Sequence, residues 1–135
     1  MEAAGPRRIL VVANRTAATP DLLEEVKRRA REQPTTFALL IPDAKGGSAD
    51  WTLELALPLL ERAAGAPVEG MIGVPEPLAA IQDAINIHGF DELIISTLPQ
   101  RVSKWLKLDL PSKAAGLGLP VTTVIASSRE QAGVA

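Results

Sequence analysis

Arg8-Ile9-Leu10-Val11-Val12-Ala13, followed by Asn14-Arg15-Thr16-Ala17-Ala18 and then Thr19-Pro20-Asp21, is the stretch whose reading decides the fold. After Arg8 the run is apolar without alternation and has the length of a strand. Such a strand is buried on both faces, which belongs to a parallel sheet. Thr19, Pro20 and Asp21 read as a helix start: a hydroxyl residue as N-cap, proline at the first helical position and an acid in the first turn. Leu22, Leu23, Val26 and Ala30 then fall on one helical face. Glu24 with Arg28 and Glu25 with Arg29 are i,i+4 pairs in the favourable order.

The same alternation continues outward. Thr36–Ile41, Val68–Val74, Leu93–Leu98 and Pro120–Ala126 are four further strand runs. Residues 42–49 read as loop by composition. Asp50 to Ala64 reads as helix with Leu53, Leu57, Leu60 and Ala64 in phase, and Pro58 predicts a kink or two short helices. Pro75-Glu76-Pro77 opens a helix whose Leu78, Ile81, Ala84 and Ile85 face the core, and Gly89 ends it. Residues 99–118 hold loop and helix, with Val102, Trp105, Leu106 and Leu110 apolar. Trp51 and Trp105 read as packing residues rather than base-stacking platforms. The expected architecture is one α/β domain over residues 7–126, a five-stranded parallel sheet with helices on both faces. Its order is flavodoxin-like, 2-1-3-4-5, or the related 3-2-1-4-5. Residues 1–6 and 127–135 are expected to be flexible termini.

Composition narrows the chemistry. The 135 residues suit a single domain that buries roughly two-thirds of its unfolded surface. No cysteine is present, which excludes disulfides, thiol catalysis and thiolate metal sites, and a single histidine excludes a multi-histidine centre. The net charge of −2 argues against nucleic acid as a partner. No apolar stretch has the length of a signal peptide core or a membrane span, so a cytoplasmic protein without a membrane is expected. Charge is uneven. Residues 1–31 carry seven basic and four acidic side chains, residues 32–98 two and ten, and residues 99–135 five and two. The acidic middle reads as a solvated face, while the topology can bring the two basic ends together.

In an open α/β sheet, ligands sit beyond the carboxyl ends of the strands, at the topological switch point. This selects Asn14, Arg15 and Thr16 after the first strand, Asp43 after the second, Gly73 after the third, and Ser96, Thr97 and Arg101 at and after the fourth. Arg15 and Arg101, with hydroxyls beside them, suit an anion. No P-loop, dinucleotide fingerprint or nucleophile elbow occurs, and His88 lies at the amino side of the sheet, away from that mouth. No general base stands out.

In pattern the chain resembles the universal stress protein family over residues 7–126. The resemblance rests on Ile9–Ala13 followed by Asn14-Arg15-Thr16, on Gly73-Val74-Pro75 entering a helix, and on the closing Pro120-Val121-Thr122-Thr123-Val124 strand. It implies a sheet in order 3-2-1-4-5, the adenine nucleotide alpha hydrolase-like arrangement. It also implies a homodimer, formed through the last strand, Val121–Ile125. Members of the ATP-binding branch carry Gly, two residues, Gly, nine residues, Gly, then Ser or Thr after the fourth strand. Laid on this chain, those positions fall on Ser96, Pro99, Asp109 and Leu110. Glycines there let backbone amides approach phosphates. Proline has no amide to offer, and an aspartate facing a triphosphate repels it. The expected function is therefore a dimeric stress or regulatory module that does not bind ATP, has no cofactor and is not an enzyme. The alternative is a binder of ATP, AMP or another phosphorylated ligand at a rebuilt site. There Asn14 would read base or ribose, and Ser96, Thr97 and Arg101 would hold phosphate. A slow nucleotide hydrolase, resting on Asp43 and Asp109, is the third reading.

Overall fold

The computed structural model describes residues 5–14, 16–42, 49–99 and 101–126. The elements are β1 (Arg7–Val12), α1 (Pro20–Glu32), β2 (Thr35–Pro42), α2 (Ala49–Ala64), β3 (Glu69–Gly73), α3 (Pro77–His88), β4 (Glu92–Thr97), α4 (Lys104–Lys107), α5 (Leu110–Ala115) and β5 (Val121–Ile125). The five strands form one parallel sheet in the order β3-β2-β1-β4-β5, the second of the two orders allowed by the sequence. Of the expected flexible termini, residues 1–4 and 127–135 lie outside the described residues.

β1 is central and pairs with β2 on one side and β4 on the other, with Ile9 opposite both Phe37 and Glu92. Its apolar run does not alternate because both faces are covered. Ile9, Val11, Leu39 and Ile94 pack with Leu22 and Val26 of α1 and Ala56 and Leu60 of α2. Leu10, Val12, Leu40 and Ile95 pack with Ala80, Ile81 and Ala84 of α3 and Leu110 and Ala114 of α5. Each fully buried Leu or Ile contributes about 1.5–3 kcal/mol relative to exposure.

Two glycines have local reasons. A Cβ on Gly73 would stand 2.7 Å from the Ala80 Cβ and 3.0 Å from a Leu40 methyl, so α3 lies against the sheet only because position 73 has no side chain. Gly89 closes α3 with φ at 75° and returns its N–H to the Ile85 carbonyl. At the other end of α3 the Glu76 carboxylate accepts from the Leu78 and Ala79 amides.

Several local expectations need correction. Thr19 stands at the N-cap of α1, but its hydroxyl donates to the Thr16 carbonyl and caps no amide. Arg28 pairs with Glu25 and Glu32 rather than Glu24, while Arg29 with Glu25 is as expected. α2 is one sixteen-residue helix running through Pro58, not two, and Pro58 sits on its exposed side. Trp51 is 66% exposed and packs into no core, whereas Trp105 does pack against the α3–α5 core. The segment before β5 holds two short helices rather than one.

At the amino end of the sheet a charged cluster ties four elements together. Glu92 of β4 is buried, yet it accepts from Arg7 of β1 at 2.8 Å and pairs with Arg29 of α1. Arg29 also donates to the Thr122 hydroxyl of β5 at 2.7 Å. Burial alone would raise the Glu92 pKa, but the bonds and charges of Arg7 and Arg29 outweigh it and hold the carboxyl below its usual range. Alongside, Arg8 donates to the Gly89 carbonyl and covers the Phe90 ring at 5.2 Å.

Candidate functional site

The carboxyl ends of β1 and β4 are neighbours, and the chain leaves them toward opposite faces, α1 on one and α4–α5 on the other. That is the switch point of a doubly wound sheet. A crevice of about 360 Å³ opens there. Asn14 and Thr16 line it from the β1 loop, Pro42 from β2, and Pro75 and Pro77 from the entry to α3. Ser96, Thr97 and Leu98 form its floor, and Val102, Ser103, Lys104, Trp105 and Leu108 form the far wall.

The loop after β1 has no glycine, yet it turns tightly. The Ala17 amide donates to the Asn14 carbonyl and the Thr19 amide to the Thr16 carbonyl. These turns carry Thr16 back over the end of β4. There the Thr16 and Ser96 hydroxyls meet at 2.6 Å, both buried. Ser96 also lies 3.4 Å from the Thr16 carbonyl in donating geometry. On the opposite face of the sheet the buried Thr97 hydroxyl meets that of Ser103, and Ser103 in turn accepts the Leu106 amide as the N-cap of α4. Each hydroxyl has one proton and two lone pairs. When Ser96 donates to the Thr16 carbonyl, both protons of the first pair are committed, and the second pair keeps one. The floor therefore offers mainly acceptors.

Of the residues selected from sequence, the fold brings Asn14, Thr16, Ser96 and Thr97 to the crevice. Asn14 points its amide toward the Pro42 carbonyl at 3.5 Å and so leans across the end of β2. Gly73 is not a lining residue; its place is the contact with α3. Arg101 stands on an exposed turn and does not line the crevice. Arg15 and Asp43 lie outside the described residues. The cation that does line the wall is Lys104, exposed and without an ion pair among the described residues. Its signal is Ser103 immediately before it, a cap residue that turns α4 and aims its first turn at the strand end.

The glycine-motif positions take unlike forms. Pro99 contributes its carbonyl to a turn, accepting from the Val102 amide. Asp109 has φ 59° and ψ 42°, the one non-glycine positive φ among the described residues. A left-handed conformation that suits glycine thus persists there with an aspartate in it. Asp109 is exposed and is not among the lining residues. No group of three or more metal-ligating side chains occurs among the described residues, and no helix among them is long and apolar enough to cross a membrane.

No protein-family model matches the chain, and a search of curated proteins finds no match. Solved structures do match. A universal stress protein from Archaeoglobus fulgidus superposes with a TM-score of 0.64 at 17% identity, over 89% of this chain and 94% of that one. A universal stress protein in complex with cAMP gives 0.63 at 15% identity, over 92% of this chain and 100% of that one. The Archaeoglobus fulgidus protein in complex with dAMP gives 0.60 at 16% identity, over 88% and 97%. The chain has the fold of the universal stress proteins, as its sequence pattern implied.

Proposed function

We propose that this chain is a non-catalytic regulatory module that takes a small, singly or doubly charged nucleotide, and not ATP, in the crevice between β1 and β4. The observation that carries the reading is the lining itself: among the described residues one cation, Lys104, beside an acceptor-rich floor of paired hydroxyls. Lys104 supplies a point charge for one phosphate. The floor accepts from ribose hydroxyls or an exocyclic amine. Trp105 with Pro75 and Pro77 gives apolar surface for a base. The volume lies near the lower end of the ~300–1,000 Å³ typical of ligand sites. Solved proteins of the same fold carry cAMP and dAMP, which supports a ligand of that class.

A triphosphate would bring more charge than Lys104, the cation among the described lining residues, offsets, to a loop where Pro99 has no amide to give. Among the described lining residues there is no carboxylate or imidazole, which supports binding without turnover. A second reading keeps the module and drops the ligand. It is favoured by the hydroxyl pairs, each of which gives its members a hydrogen-bond partner within the chain.

Calorimetric titration of nucleotide-free protein with cAMP, AMP and ATP separates these. Micromolar binding of cAMP or AMP, with ATP weaker by about tenfold or more, is expected, as is a loss of about tenfold on Lys104→Ala. ATP binding tighter than either would overturn the reading. No heat with any nucleotide up to millimolar concentration would leave the ligand-free module.

A further inference from the structure

We infer that the outer face of α2 is a self-association surface, on which a second copy of this chain packs its own α2 antiparallel. The helix carries two apolar faces where a surface helix needs one. Ala56 and Leu60 are buried in the core, and Leu53 and Leu57 pack against it. On the other side Trp51 is 66% exposed, Leu55 53% and Leu59 37%, with Pro58 exposed between them. Spaced at i, i+4, i+7 and i+8, these residues form one continuous stripe. Only isolated exposed apolar side chains are ordinary; a stripe marks a contact.

The charge pattern selects the occupant. Arg62 lies on the axis of the same stripe, eleven positions after Trp51 and about 16 Å along the helix. It makes no ion pair among the described residues and is exposed. A two-fold axis passing between positions 56 and 57 sets each Arg62 over the Trp51 ring of the other copy, and Leu55 beside Pro58. The exposed Asp50 and Glu54 flank each Trp51 and give the incoming guanidinium an acidic setting. The surface is thus complementary to itself under the symmetry that closes a dimer. A sixteen-residue helix is about 24 Å long, so the helix pair buries less than the ~800 Å² per partner of a standard interface. The dimer is therefore weak and reversible.

This surface is separate from the β5 edge. α2 covers β2 and β3 at one side of the sheet, and β5 is the last strand at the other. It is also independent of any ligand in the crevice.

Sedimentation velocity from low micromolar to near-millimolar concentration tests it. The expected result is a concentration-dependent dimer that Leu55→Arg abolishes and Arg62→Glu weakens by about tenfold or more. Thr123→Lys, a charge placed on the open edge of β5, leaves the dimer unchanged. Leu55 is already more than half exposed, so its variant folds, and an unchanged circular dichroism melt verifies this. A monomer at every concentration would overturn the inference, and so would a dimer that, with the β5 edge blocked by Thr123→Lys, survives Leu55→Arg.

Discussion

The two ends of the sheet treat polar side chains in opposite ways. At the amino end, buried polarity is ionic: Glu92 joins Arg7, Arg29 and, through Arg29, Thr122, and so fastens β1, β4, α1 and β5 to one another. At the carboxyl end it is neutral: Thr16 with Ser96 and Thr97 with Ser103, one pair on each face. Ion pairs with little solvent pay for their own desolvation but punish the loss of either member. Neutral hydroxyl pairs hold weakly, can rearrange, and leave lone pairs for a visitor. The difference teaches a division of labour. The amino end keeps the sheet registered, and the carboxyl end stays adaptable where a ligand would enter.

Glu92→Gln breaks the amino end and should have the largest effect. It leaves two arginines without their acid, at a cost of about 3 kcal/mol given that Arg7 is partly solvated. Urea unfolding at neutral pH reads it directly. The same carboxyl sets an acid limit. Its folded pKa is depressed, so its contribution is complete above the ordinary carboxylate value of about 4.3 and is lost as pH falls through the folded value. Stability of the parent should fall steeply in that acid range, and Glu92→Gln should flatten the profile. An equally steep profile in the variant would assign the acid loss to other carboxylates.

Gly73→Ala tests whether the mouth depends on close packing of α3. The methyl would meet the Ala80 Cβ, and overpacking of this kind costs about 1–3 kcal/mol. A thermal melt that does not move would mean that α3 can retreat freely. At the carboxyl end Ser96→Ala strips Thr16 of its partner. The expected loss is about 1–2 kcal/mol, smaller than at Glu92 because the orphaned group is neutral. A larger loss than that of Glu92→Gln in the same denaturation experiment would reverse the comparison between the ends.

Asp109→Gly should have the smallest effect and the opposite sign. The left-handed backbone favours glycine, while a more flexible unfolded chain opposes the gain, leaving about 0.5 kcal/mol of added stability. Since Asp109 does not line the crevice, nucleotide titrations of this variant should match the parent. A sharp gain in ATP affinity would show that its carboxylate guards the mouth after all.

Much of this was legible in the linear chain because it depends on local pattern. Unalternating apolar runs of strand length such as Ile9–Ala13, bounded by turn signals, read as strands covered on both sides, and Pro20, Pro77 and Gly89 mark helix ends by their own backbone limits. From those the parallel five-stranded sheet follows, and with it a mouth beyond the carboxyl ends of its strands, while the strand order observed in the fold decides that β1 and β4 flank it. Asn14, Thr16, Ser96 and Thr97 were found for that reason. What the tertiary structure decided is which side chains face one another across long stretches of sequence. Nothing in the spacing pairs Glu92 with Arg29 or Thr16 with Ser96, since those contacts are made by strand order and helix placement. Nor could spacing tell Lys104 in the wall from Arg101 on the turn, because a short capped helix rotates one inward and leaves the other outside. Residue type likewise reads Trp51 as a packing side chain, and only the placement of α2 shows that it and a second apolar face are left in solvent.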